Sequence, residues 1–131
     1  MEDKITFEIV TPYGKVIEDK VDEIVAPGIL GEFGVLPGHA PYISMLDIGI
    51  LTYKSGSSVK KVFINCGYAD VSFERVTILS DSAELAENID VNRAKTAQDR
   101  ASERLKKADI DIVRAEAALK RALSRLEAVK G

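Results

Sequence analysis

Arginine is the residue whose placement carries the most chemistry in this chain. Six of the seven arginines fall after residue 80. Arg93 and Arg100 are seven apart, two turns of a helix, and would share one face; Arg114, Arg121 and Arg125, spaced seven and four, would share another. Guanidinium forks match phosphate oxygens. If the two segments fold back on each other, Arg93, Arg100, Arg121 and Arg125 could converge and neutralise a triphosphate without a glycine-rich loop. The sequence has no such loop, neither Gly-x-Gly-x-x-Gly nor Gly-x4-Gly-Lys-Ser/Thr. The same spacing also fits a solvated face carrying Glu/Arg pairs, and Asp90 with Arg93 fits an N-cap and a local ion pair.

Other reactive groups are few. One histidine, His39, and one cysteine, Cys66, lie far apart and make neither a zinc site nor a nucleophile–base pair. Cys66 sits in an apolar run and reads as a small buried hydrophobe. A single cysteine excludes an intrachain disulfide. No residue is marked to activate water or to hold magnesium for phosphoryl transfer.

The elements that must position the arginines follow from a break in composition. All four prolines, every aromatic residue and all but one glycine lie within the first 73 residues of a 131-residue chain. Before the break, Ile5, Phe7 and Ile9 alternate with polar residues as in a half-buried strand. Further strands are expected at Val16–Ile17, Val21–Ala26, Tyr42–Leu46, Ile50–Lys54, Val59–Asn65, Tyr68–Phe73 and Val76–Leu79. Turns are expected at Thr11–Gly14, Pro27-Gly28, Ser55–Ser57 and Glu74-Arg75. Gly31 to Pro41 reads as a Gly/Pro-dense loop. This spacing predicts an antiparallel sandwich or flattened barrel.

After Ser80 the period becomes helical. Asp81-Ser82 could start a helical turn over Ala83–Glu87, and Asn88 or Asp90 could cap the next helix. Small and apolar residues recur at Ala94, Ala97, Ala101, Leu105, Ala108, Ile112, Ala115, Leu119, Ala122, Leu126 and Val129, with steps of four and three from Ala101 onward. Asp109 and Asp111 suggest a break over Lys106–Asp111, yet the stripe keeps its phase across it. A bent hairpin would close around an Ala/Leu seam; a straightened helix would offer that seam to another partner. Such a seam buries little area, worth about a few kcal/mol at about 25 cal/mol per Å², so partners could select between the forms. A permanently docked hairpin fits the same pattern.

Bulk properties narrow the class. Residues 1–80 carry 7 basic and 11 acidic side chains, and residues 81–131 carry 11 and 10. The net charge of −3 argues against nucleic acid as a partner. The acidic amino terminus lacks the apolar stretch of a signal peptide, and no run approaches a membrane span.

The run Gly31-Glu32-Phe33-Gly34-Val35-Leu36-Pro37-Gly38-His39-Ala40-Pro41 is similar to a Gly-Glu-x-Gly-x-Leu-Pro-Gly-His-x-Pro signature. Ile89-Asp90-Val91-Asn92-Arg93-Ala94 fits an Ile/Leu-Asp-x-x-Arg-Ala motif. With the order of β domain then helical hairpin, these make the chain resemble the epsilon subunit of bacterial F-type ATP synthase along essentially its full length. The resemblance implies a ten-stranded β domain over 1–82 and a mobile helical arm over 83–131. It implies a non-catalytic rotor subunit of a proton-translocating complex at the cytoplasmic face of the bacterial plasma membrane, without direct membrane insertion. The β domain would join the gamma shaft to the c-ring, with Glu32 and His39 at the ring. The extended arm would inhibit ATP hydrolysis, Arg114, Lys120, Arg121 and Arg125 meeting the acidic DELSEED segment of a beta subunit in the alpha/beta head; residues 112–131 carry five basic and two acidic side chains, which suits it. ATP, as a regulatory ligand that is not hydrolysed and needs no metal, would hold the arm folded. Glu84, Ile89 and Asp90 would contact the base side, and Arg93, Arg100, Arg121 and Arg125 the phosphates. The same rotor subunit with a fixed hairpin and no nucleotide is the alternative; the Gly-Pro-His loop and helical tail argue against an unrelated small enzyme.

Overall fold

A computed structural model describes residues 4–105 and 112–130. Ten strands precede two helices: β1 (Ile5–Thr11), β2 (Gly14–Val21), β3 (Glu23–Gly28), β4 (Gly31–Val35), β5 (Tyr42–Leu46), β6 (Gly49–Ser55), β7 (Ser58–Ile64), β8 (Gly67–Val71), β9 (Arg75–Ser80), β10 (Ala83–Leu85), α1 (Val91–Leu105) and α2 (Ile112–Lys130). The strands pair in the order β10-β7-β6-β3-β5-β8-β9-β1-β2, with β4 on β3. Pairing is antiparallel except between β1 and β9, which run parallel. These two strands are far apart in sequence and need no hairpin between them. Alternation does the rest: Ile5, Phe7 and Ile9 point inward with Ile24, Leu51, Val62, Ile64 and Ile78 to form one core.

Three local expectations are corrected. Pro27-Gly28 is not a turn but the end of β3; the turn is Ile29-Leu30, closed by the Gly28↔Gly31 pair. Pro27 sits where β3 leaves β6 and meets β5, a corner where a missing N–H is tolerated. The loop expected from Gly31 begins with a strand, because Gly31 at φ +127° lets the chain return directly along β3. Ala83–Leu85 is not helical. It pairs with Ile64, Phe63 and Val62 of β7 before a 3₁₀ turn at Ala86–Asn88, an open sheet edge having overridden local propensity.

The helices form the expected hairpin. Ala94 and Ala101 of α1 and Ala115 and Ala122 of α2 are buried. α1 packs mainly on α2, which also rests on β6 and β7. The stripe departs from its expected course at its end: Val129 is exposed while Ala128 is buried, because the last turn of α2 packs on the sheet. The expected break over 106–111, the caps Asp109 and Asp111, Ala108 and the side chain of Ile112 lie outside the described residues.

Gly67 is the tightest backbone point. It lies at φ +133°, and a Cβ there would fall 1.9 Å from the Leu79 carbonyl oxygen. Gly67→Ala should therefore cost well over about 1 kcal/mol in urea unfolding followed by circular dichroism. Gly14→Ala, at a similar φ but facing open space, should cost clearly less; equal losses would contradict the close-approach argument.

Candidate functional site

Strand register builds the site. Val62 and Ile64 of β7 face the sandwich core, whereas Phe63 between them faces the arm and is also fully buried. Ile50 of β6 and Glu84 of β10 pair with Phe63, so Ile50, Phe63 and Glu84 form a row on one face. Ala128 of α2 and Ile89 complete a small apolar cluster with Phe63. Three residues before Ala128, Arg125 places its guanidinium carbon 4.3 Å from the Phe63 ring centre, a cation–π contact. Its Nε donates to Glu84 Oε2 at 3.0 Å.

Beside this stack a cavity of about 490 Å³ opens between the 3₁₀ turn, α1 and Arg125, within the range of small-molecule sites. Glu84, Ile89, Asp90, Arg93, Arg100 and Arg125 all line it. Asp90 caps α1, its Oδ1 accepting the Arg93 N–H at 3.1 Å. Arg93 and Arg100 are exposed on α1, and neither makes an ion pair among the described residues. Asn88, Ala94, Thr96 and Ala97 also line the cavity and were not foreseen as site residues. Thr96 stands three places after Arg93 on the same helix face, a spacing that could have marked it; the sequence marks Asn88 only as a possible helix cap, a role that Asp90 takes.

Arg121 is not among the lining residues. It is half-buried, and its charge, like that of Lys120, acts on Cys66. Cys66 is half-buried rather than enclosed, at φ +57° between β7 and β8. Burial, then Asp47 and Asp81, push its thiol above the usual range. Arg114 is exposed on α2. Lys120 donates to Asp47 Oδ2 at 2.6 Å in the turn between β5 and β6. Two of the four cations expected to act in inhibition, Lys120 and Arg125, thus rest on β-domain carboxylates.

Glu32 is exposed on β4 and lines a groove shared with Leu119, Lys120 and Leu123 of α2. His39 lies in the loop after β4; its Nδ1–H donates to the Ala40 carbonyl at 2.6 Å, and its ring centre is 6.2 Å from that of Tyr42. Among the described residues no group of three His, Cys, Asp or Glu side chains could hold a metal ion.

A strand sandwich carrying a helical hairpin with an arginine-lined cavity matches two family models in succession. "ATP synthase, Delta/Epsilon chain, beta-sandwich domain" covers residues 4–86, and "ATP synthase, Delta/Epsilon chain, long alpha-helix domain" covers 87–130. The chain belongs to the epsilon-chain family of bacterial F-type ATP synthases, whose members are non-catalytic chains of the complex. It is 50% identical over 128 residues to the ATP synthase epsilon chain of Nitratidesulfovibrio vulgaris strain DP4, covering 96% of both chains. It is 49% identical over 130 residues to that of Geotalea daltonii, covering 97% of this chain and 94% of the relative. Among solved structures, a chain of the Euglena gracilis mitochondrial ATP synthase OSCP/F1/c-ring assembly matches all of this chain and 84% of its own length, at TM-score 0.86 and 25% identity. The Tetrahymena thermophila mitochondrial ATP synthase central stalk and c-ring contains a chain sharing the fold at TM-score 0.58 and 14% identity, the match covering 98% of this chain and 96% of that one.

The Lys120–Asp47 pair gives a pH expectation. Lys120 above all, then the Ile48 N–H, holds the Asp47 carboxyl below its ordinary range against the opposing effect of burial. The lowered value means the pair favours the docked arm above about pH 4 and loses this as pH falls through the docked-state value. Both side chains are substantially exposed, so the pair contributes less than about 1 kcal/mol and weakens with salt. Asp47→Asn should raise amide exchange in α2 slightly at neutral pH and remove this residue's share of the acid-induced rise. An unchanged acid profile in Asp47→Asn would contradict the assignment.

Proposed function

We propose that this chain is the central-stalk subunit that couples the gamma shaft to the c-ring of a proton-translocating F-type ATP synthase, and that its arm regulates ATP hydrolysis. No described helix is long and apolar enough to cross a membrane, so attachment at the cytoplasmic face of the membrane would run through partner chains. Shaft attachment is supported by an exposed row on the outer sheet face: Met45 pairs with Tyr68, Tyr68 with Leu79, and Ile43 lies alongside. A contiguous apolar strip of this kind marks a protein interface. At the end of the domain, Ile29 and Leu30 form an exposed hairpin tip beside Glu32, with His39 in the following loop, and this is the surface assigned to the ring.

The observation that carries the regulatory reading is the cavity, which needs both helices and the sheet to close. Ligand bound there would stabilise the bent arm by linkage, about 2.7 kcal/mol at a hundred times the dissociation constant. Arg93 and Arg100 supply uncompensated positive charge for phosphate oxygens, and Glu84, Ile89 and Asp90 the base side. ATP would be bound and not cleaved. In the extended state Arg114, Lys120, Arg121 and Arg125 would meet the acidic DELSEED segment of the beta subunit.

Calorimetric titration of the purified subunit tests the ligand. ATP should bind and raise the melting temperature, and Arg93→Ala should weaken binding at least about tenfold, the loss of a charge-assisted contact. No binding at millimolar ATP would leave the fixed hairpin, tied by Lys120–Asp47 and Arg125–Glu84, as the better reading. For inhibition, removal of residues 88–131 should raise ATP hydrolysis by the reconstituted head. Unchanged hydrolysis at every ATP and salt concentration would remove the inhibitory role.

A further inference from the structure

We propose that the outward side of α2 in the folded arm is a self-association surface, on which a second copy of this chain docks its own α2 in antiparallel register about a two-fold axis at Leu123. The inference stands on the surface of the arm and is independent of the nucleotide reading above.

Three observations carry it. First, α2 presents apolar surface with no cover among the described residues. Leu123 is 45% exposed and forms the ridge between two grooves. One, of about 550 Å³, lies between α2 and the sheet, with Pro27, Ile50 and Leu119 in its wall. The other, of about 490 Å³, lies between α2 and the start of α1, with Val91 and Leu126 in its wall. Leu119, Leu123 and Leu126 step by four and three and so make one strip. A ridge with a groove on each side is a form that packs on a second helix, ridge into groove.

Second, the charges beside the strip are uncompensated. Glu116, Glu127 and Lys130 are exposed and make no ion pair among the described residues. Glu116 borders the first groove and Lys130 the second.

Third, the order of these charges is self-complementary. In two antiparallel copies that cross at Leu123, residues equally far from Leu123 on opposite sides face each other. Glu116 and Lys130 each stand seven places from Leu123, two turns either way. Glu116 of each copy therefore meets Lys130 of the other, and the two-fold makes the pair twice. By the same rule Leu126 falls beside Leu119 of the second copy, and Glu127 beside its Lys120. Lys120 bonds Asp47 within the chain and has further N–H groups to offer. Parallel pairing would set Glu116 against Glu116 and Lys130 against Lys130, so charge selects the antiparallel form.

The surface exists only while α2 lies on the sheet, since Pro27 and Ile50 belong to β3 and β6. A second copy over α2 thus holds the arm folded. The strip is small beside a permanent interface, so the pairing depends on concentration and belongs to the free chain.

Sedimentation of the full-length chain, from micromolar to near-millimolar concentration, tests this. The unaltered chain should shift from monomer to dimer as concentration rises, and Leu123→Asp, at an exposed position, should stay monomeric with an unchanged circular dichroism spectrum. Glu116→Lys and Lys130→Glu should each weaken pairing about tenfold, because each substitution acts twice across the symmetric contact. The double variant with both substitutions should pair as the unaltered chain does. A chain that is monomeric throughout overturns the proposal. So does a dimer indifferent to Leu123→Asp, or a double variant that pairs no better than the single ones. None of these outcomes bears on nucleotide binding or on the role of the arm in the assembled complex.

Discussion

Phe63 is the side chain on which this architecture turns. A strand in a two-layer sandwich normally buries one face and wets the other. β7 buries both: Val62 and Ile64 seal the sandwich, and Phe63 needs a cover from outside. That cover is the arm, through Ala128, Ile89 and Arg125. Without it a phenyl ring and the neighbouring Ile48 and Ile50 would face solvent. The hydrophobic effect therefore draws α2 to one place on the sheet, and the place fixes everything that lies above it.

The same constraint bears on how strongly the arm is held. The seam between the helices is made of alanines, Ala94 and Ala101 against Ala115 and Ala122, which permit close approach but remove little area from water. The remaining ties are polar: Lys120 to Asp47 and Arg125 to Glu84. Pairs as exposed as Lys120–Asp47 contribute little net free energy. An arm held this way is specified in position yet modest in strength. On the function proposed above, a ligand that needs both helices and the sheet would shift the balance, and so would an acidic partner that offers the same cations other carboxylates.

Much of this was legible in the sequence, and the failures share a cause. The alternation of Ile5, Phe7 and Ile9 and the helical stripe from Ala94 are local periodicities imposed by burial on one side, and both survive folding. Arg93 and Arg100 share a cavity because a helix makes seven residues two turns. Ala83–Leu85 could not be read as a strand, since it is one only by borrowing the edge of β7. The Gly31–Val35 strand was hidden for a related reason: glycine weakens strand propensity, and here it supplies the turn that starts the strand. The contact between Arg125 and Glu84 spans 41 residues and depends on the β7–β10 register, so helical spacing could assign Arg125 only a generic cationic role. Ala128 displaced Val129 from the buried set because the sheet, absent from any helical pattern, claims the last turn of α2.

Amide hydrogen exchange of the isolated chain with and without ATP addresses most directly the claim that ligand in the cavity holds the arm on Phe63. ATP should slow exchange in α1, in α2 and in the 3₁₀ turn, while leaving the sandwich core strands β1, β8 and β9 as they were. Unchanged exchange in α2 at saturating ATP, or slowing spread evenly over both parts of the chain, would contradict the account.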